Sequence, residues 1–128
     1  MQTAGLVPVM EPEVLLEGKH GRMRSRAVIE EVLETLFSVL AEHSVDRASV
    51  VVKTSMALSG SESGKKDTPE EVAADTLGAL MRSVPQQVAG IAFRDLKAAY
   101  HVQFLDQARW LKETSRGQDI LKPDVGDY

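Results

Sequence analysis

The fold is decided by the stretch ASVVVKTSM (residues 48–56), in which Val50, Val51 and Val52 stand directly before Lys53. Three β-branched residues in so short an apolar run are typical of a strand that is buried on both faces, as in a parallel sheet. We therefore predict a strand at residues 50–55, with a lysine near its carboxyl end.

Upstream of this strand, the sequence predicts another strand and a helix. Pro8 and Pro12 interrupt the first apolar segment. Because proline cannot donate to a sheet ladder, only residues 6–11 suit a strand. Residues 25–43 carry apolar side chains at helical spacing with charges opposite, which predicts an amphipathic helix. Its apolar positions are Val28, Val32, Leu33, Leu36, Val39 and Leu40.

Downstream, the sequence predicts a second helix at residues 69–82 and a third strand at residues 88–93. Thr68 can cap this helix, Pro69 suits its first position, and Glu71 completes a capping box. The alternation of strands and helices predicts an α/β fold with parallel strands. The buried face of the second helix is expected to carry Val72, Thr76, Leu77, Leu80 and Met81.

The bulk composition is that of one modest, soluble globular domain. The chain has 128 residues, of which 43% are hydrophobic and 27% charged. The net charge of −4 gives no reason to expect nucleic-acid or membrane binding. The absence of cysteine excludes thiol catalysis and fits a reducing cytoplasm. We predict no metal or other cofactor, since the histidines lack ligand spacing: His20, His43 and His101.

Two features carry candidate chemistry. Glu11 and Glu13 are two positions apart at the end of the first predicted strand, so both carboxylates can point to one face. One of a repelling pair can hold a proton and act as an acid or base. Lys53 follows three valines, where desolvation favours the neutral, nucleophilic amine that forms imines with ketones. Taken alone, these residues also fit solvated carboxylates and a lysine that extends into solvent.

A third feature imitates a phosphate-binding loop. The sequence GSESGKK (residues 60–66) lies between a predicted strand and a predicted helix. Its first glycine is one residue too close to the GK pair, and Lys66 stands where serine or threonine should bind magnesium. We therefore interpret it as a flexible surface loop.

Three stretches together resemble class I fructose-bisphosphate aldolases. The sequence GLVPVMEPEV (residues 5–14) is similar to the family pattern G-L-V-P-I-V-E-P-E-V. The sequence VKTSM (residues 52–56) resembles the L-K-P-[NS]-M segment that holds the Schiff-base lysine of the family. The sequence VPQQVAGIAF (residues 84–93) resembles V-P-x-x-V-x-G-I-x-F, before the seventh barrel strand. The three matches occur in family order, so the resemblance covers residues 4–93.

This resemblance implies part of a (β/α)8 TIM barrel, in which residues 1–93 supply about three βα units. A complete barrel of this type takes about 250 residues. Residues 94–128 would form a divergent region, with a helix at residues 95–116 and a polar tail. The open sheet edges predict association, so a homo-oligomer is expected.

The resemblance also implies an activity. Lys53 would form an imine with the ketose, Glu11 would act as general acid and base, and Glu13 would be a supporting charge. The implied reaction of glycolysis and gluconeogenesis cleaves fructose 1,6-bisphosphate reversibly to dihydroxyacetone phosphate and glyceraldehyde 3-phosphate, without a metal.

The sequence also departs from the family. Thr54 replaces proline, and residues 94–97 read RDLK where the family has the Leu-Ser-Gly-Gly phosphate loop. An aspartate there would repel phosphate. The alternative hypothesis is therefore a truncated, non-catalytic remnant that acts as an interaction chain or pseudoenzyme. An independent phosphate-binding βαβ protein, based on residues 60–66, ranks last.

Overall fold

A computed structural model describes residues 2–93, which form three strands and two α-helices in alternating order. The elements are β1 (Val9–Met10), α1 (Arg22–Glu42), β2 (Val51–Thr54), α2 (Pro69–Ser83) and β3 (Gly90–Phe93). Short 3-10 helices precede β1 and β2. The helix and polar tail expected after residue 93 lie outside the described residues, and the domain division there stays a prediction.

The three strands form one parallel sheet with β2 in the centre. Met10 is opposite Val52 on one side, and Ile91 is opposite Val52 on the other. The predicted parallel α/β order is therefore confirmed. Parallel neighbours bring the carboxyl ends of their strands to the same edge, so the segments after β1 and β2 emerge side by side.

Within residues 2–93, both helices cover one face of the sheet, and the other face is only partly buried. In β2, Val52 and Thr54 are buried, whereas Val51 and Lys53 are only partly buried. Both helices contribute to the same core cluster as Val52, so they lie on its side of the sheet. The prediction of a strand buried on both faces is therefore wrong for these residues, because the helices shield a single face.

The first strand is shorter than predicted. Residues 6–11 were expected to pair, but the β1 ladder contains only Val9 and Met10. Pro8 precedes the ladder and its carbonyl accepts from Val51 N at 3.0 Å, while Pro12 follows and has no N–H to donate. The third strand likewise begins at Gly90 instead of residue 88, after Ala89 N donates to Val50 O.

The buried face of the first helix differs from the predicted apolar face. It begins at Arg22, three residues before the predicted start, and ends at Glu42. Val28 and Val32 are only partly buried, and Val39 is 43% exposed. Leu33 and Leu40 are buried as predicted. The complete buried face follows the 3.6-residue helical repeat and consists of Ser25, Ile29, Leu33, Phe37 and Leu40.

The second helix follows its sequence signals closely. Thr68 accepts a hydrogen bond from Glu71 N, and the Glu71 side chain accepts from Thr68 N, which completes the predicted capping box. The expected core face is confirmed except for Met81, which is 54% exposed. Neither helix within residues 2–93 combines the length and apolarity that crossing a bilayer requires.

Leu33→Ala should strongly destabilise the chain, because Leu33 is 1% exposed in the core between sheet and helices. Removing such a side chain leaves a cavity and typically costs about 2–5 kcal/mol. Urea denaturation followed by circular dichroism measures this loss. Val39→Ala on the same helix is the matched control and should change the free energy of unfolding by about 0.5 kcal/mol or less.

Glu71→Gln should produce a stability difference that depends on pH. Hydrogen bonding from Thr68 N, with attraction from Arg22, lowers the pKa of Glu71 from its ordinary value of 4.5 in the folded chain. A lowered folded-state pKa stabilises the fold above the unfolded-state value, and this contribution is lost as the pH falls through the folded-state value. Glutamine preserves the capping geometry but removes the charge.

The melting temperatures of wild type and Glu71→Gln should therefore differ at neutral pH and converge as the pH falls below 4.5. Glu70→Gln, in the same helical turn but outside the capping box, should show a smaller difference. A gap between wild type and Glu71→Gln that stays constant with pH would contradict the assignment.

Candidate active site at the carboxyl ends of the strands

Lys53 and Glu11 meet where the first two strands end. The Lys53 Nζ atom lies 3.6 Å from Glu11 Oε1. This is close enough for an ion pair and slightly longer than a direct hydrogen bond. The two side chains to which the resemblance assigns the imine and the acid–base roles thus lie together, while those catalytic roles stay a prediction.

The register of the parallel strands creates this contact. Met10 is opposite Val52, so the next residue of each segment, Glu11 and Lys53, emerges at neighbouring positions of the same edge. The alternation of side chains along β2 turns Val52 into the core and Lys53 to the uncovered face. Neighbouring strands lie about 4.8 Å apart, so side chains of this length can meet.

The pair is more open than the sequence suggested. Lys53 was expected in a low-dielectric position, but its side chain is 30% exposed, and that of Glu11 is 50% exposed. Exposed ion pairs contribute about 0–1 kcal/mol, so this contact adds little to stability. Its chemical value is geometric: a carboxylate lies within reach of the amine, directly or through one water molecule.

Glu13 lies beyond the end of the β1 ladder. The first strand was predicted to span residues 6–11, with Glu11 and Glu13 two positions apart at its end. Pairing ends at Met10 instead. Glu13 lines an open groove of about 360 Å³, together with His20 and Arg24. The apolar side of the groove is formed by Val14, Leu15, Val28 and Val32.

Ser55 joins the two segments that carry the candidate residues, and sequence reasoning did not select it. Its hydroxyl accepts a hydrogen bond from Val14 N at 3.0 Å and donates to Val14 O at 3.5 Å. Serine occurs in any loop, so composition gives no signal. The signal available in the sequence is its position two residues after Lys53, on the same side of an extended chain.

The loop at residues 60–66 does not present its backbone to phosphate. The N–H groups of Gly60, Ser61 and Glu62 donate to carbonyl oxygens of the segment at residues 16–20. Gly60 also lies so close to Gly18 O that an added Cβ atom would clash with it. These contacts give no support to the phosphate-binding interpretation, and they anchor a surface loop that was expected to be flexible.

Acidic residues around α2 hold the amino-terminal turn of α1. Arg22 pairs with Asp67 at 3.2 Å, with Glu71 at 3.0 Å, and with Asp75. The hydrogen bond to Asp75 is the main reason that the pKa of Arg22 is raised above its ordinary value. Arg26 also pairs with Asp75, at 3.1 Å. These ion pairs link the amino-terminal turn of α1 to α2 and to the residue before Thr68.

Asp67 links this network to the loop that follows β2. Its carboxylate accepts hydrogen bonds from Ser59 N at 2.6 Å and from Ser59 Oγ at 2.9 Å, in addition to Arg22. Within residues 2–93, no group of three or more histidine and carboxylate side chains is arranged to hold a metal ion.

Fold and site together define a class: a segment of a parallel βα barrel that presents a lysine and a glutamate at the carboxyl ends of adjacent strands. The family model "Fructose-bisphosphate aldolase class-I" matches residues 1–99. The chain belongs to the class I fructose-bisphosphate aldolase family.

Individual relatives agree with this assignment. Chloroplastic fructose-bisphosphate aldolase 1 of Arabidopsis thaliana is 38% identical over 112 residues, which cover 84% of this chain and 28% of that protein. Fructose-bisphosphate aldolase of Drosophila melanogaster is 41% identical over 92 residues, covering 72% and 25% respectively. The chain thus spans about a quarter of the length of the curated relatives that it matches.

A solved structure shows the same fold over this segment. Plasmodium falciparum fructose-bisphosphate aldolase, crystallised with TRAP and a small-molecule inhibitor, superposes with a TM-score of 0.67 at 34% identity. The match covers 69% of this chain and 25% of that one. It confirms the expected relation to a partial TIM barrel.

Asp67→Ala should loosen the loop that follows β2, because it leaves Ser59 N without its acceptor. Losing a buried partner of this kind costs about 1–3 kcal/mol, and the Asp67 side chain is only 8% exposed. Amide hydrogen exchange at Ser59 should accelerate and the unfolding midpoint should fall. Glu62→Ala, on the exposed part of the same loop, should leave both unchanged, and an unaltered Ser59 exchange rate in Asp67→Ala would refute the role.

Proposed function

We propose that this chain carries the imine-forming part of an aldolase, a lyase that cleaves fructose 1,6-bisphosphate reversibly in glycolysis and gluconeogenesis. The observation that supports this most directly is the 3.6 Å contact between Lys53 Nζ and Glu11 Oε1 at the carboxyl ends of neighbouring parallel strands. Catalytic residues of βα barrels lie at this end, and family membership supplies the reaction class.

In the proposed mechanism, the neutral amine of Lys53 attacks the C2 carbonyl of the ketose and forms a carbinolamine. Glu11 donates a proton to the departing hydroxyl, so that water leaves and a protonated imine remains. The C3–C4 bond then breaks, its electron pair moves into the protonated imine to give an enamine, and the C4 hydroxyl proton passes to the Glu11 carboxylate as the aldehyde forms. No metal is required, because the protonated imine accepts the electrons.

Glu13 is proposed as a supporting charge rather than as a second acid. It lines the same groove as Arg24, which carries a positive charge. A carboxylate there adds negative charge close to the Glu11 segment without having to contact the amine. This assignment distinguishes it from Glu11, which contacts Lys53.

We also propose that chains associate into a homo-oligomer in the cytoplasm. Large apolar side chains near β1 are more than half exposed: Leu6, Val7 and Leu15. Exposed apolar patches favour association, and the cysteine-free composition suits a reducing compartment. Light scattering of the purified chain and fractionation of cells measure these two properties.

Borohydride reduction in the presence of dihydroxyacetone phosphate should trap a stable adduct on Lys53. Hydride reduces the imine carbon, so the ligand stays attached through a secondary amine that peptide mass spectrometry locates. Lys53→Arg should abolish the adduct. Glu11→Gln should slow its formation by about 10²–10⁴-fold, the usual contribution of a positioned acid or base.

Two controls make the trapping experiment decisive. Lys65→Arg, in the exposed loop, should leave adduct formation unchanged, which separates Lys53 from general lysine reactivity. A folded wild-type sample that gives no adduct at millimolar ligand would overturn the proposed activity and favour the non-catalytic remnant. Folding is verified beforehand by a cooperative melting transition.

A further inference from the structure

The segment that carries Glu11 and Glu13 has no ladder bonds of its own. Strand pairing ends with Met10 opposite Val52, and Pro12 has no N–H group to continue it. Beyond the ladder, Val14 is attached to the β2 side of the molecule through the hydroxyl of Ser55. Residues 11–13 therefore form an arch that is tied down at both ends.

Both ties come from one short stretch of chain, and that stretch also contains the lysine. Val52 holds the Met10 end of the arch, Ser55 holds the Val14 end, and Lys53 lies between them. The distance between the amine and the arch is thus set by two anchors three residues apart. An exposed ion pair between Lys53 and Glu11 is too weak to set it alone.

We propose that Ser55 is a positioning residue for the Lys53–Glu11 pair. Its hydroxyl forms hydrogen bonds with Val14 and thereby holds the arch in place, so that Glu11 stays beside the amine. Its importance for catalysis rests on the proposed function, whereas the positioning itself does not. Without the hydroxyl, Val14 loses its attachment beside Lys53, and the arch is free to move Glu11, already half exposed, away from the amine.

The nature of the contact explains why a side chain is needed here. A parallel ladder would require backbone N–H groups at regular intervals, and Pro12 removes one of them. The Ser55 hydroxyl both accepts from Val14 N and donates to Val14 O, so it satisfies both backbone groups of one residue. Threonine carries the same hydroxyl, while alanine does not, and this gives a matched pair of variants.

The test uses zero-length carbodiimide coupling in the full chain, which needs no enzymatic activity. The carbodiimide activates the Glu11 carboxyl group, and the Lys53 amine displaces the resulting urea to form an amide. Peptide mass spectrometry then measures the coupled fraction. Coupling requires contact between the groups, and both are accessible to the reagent because they are partly exposed.

Ser55→Ala should lower the coupled fraction by about two- to tenfold, the population change that corresponds to one ordinary hydrogen bond. Ser55→Thr should restore it. Thr76→Val is the matched control: Thr76 Oγ1 accepts from Ala57 N at 2.9 Å, on the core side of the same segment. Thr76→Val should lower the melting temperature but leave the coupling of Lys53 to Glu11 unchanged.

Borohydride trapping of the same variants separates this proposal from the proposed function. If coupling and trapping both fall in Ser55→Ala and recover in Ser55→Thr, Ser55 positions a working pair. If coupling follows this pattern but even wild type traps no ligand, the positioning role stands and the proposed activity fails. Coupling that is unchanged in Ser55→Ala, or reduced equally by Thr76→Val, would overturn the positioning role.

Discussion

The structure depends on β2 pairing in parallel with a neighbour on each side. This single strand fixes the register of β1 and β3, and Val52 at its centre is completely buried. Successive strands are added in one direction across the sheet, so right-handed crossovers place both helices on one face, and Lys53 points to the other. The four residues of β2 therefore contribute to the core on one face and to the candidate site on the other.

Local sequence signals predicted the elements that are encoded locally. The capping residues of α2 and the valines of β2 act through near neighbours, so their elements were found with small errors at the ends. The contact between Lys53 and Glu11 followed from strand order, since parallel neighbours align their carboxyl ends. Family resemblance supplied the chemistry that pattern alone left open.

What the sequence did not predict depends on partners distant along the chain. The predicted first strand was too long, because Pro8 and Pro12 limit the pairing of β1 to Val9 and Met10. Arg22 was not among the residues that sequence patterns indicated. Its partners, Asp67 and Asp75, lie 45 and 53 residues away, and no local pattern indicates them.

The first turn of α1 is not self-sufficient. Gly21 caps the helix without a side-chain hydrogen bond, and Arg22 N donates instead to Ser59 Oγ. Positive charge at a helix amino terminus is unfavourable, and here carboxylates beyond residue 59 neutralise it. During synthesis, Ser59 and the carboxylates of residues 67–75 leave the ribosome after α1, so the contacts that complete this first turn form only once that later segment has been made.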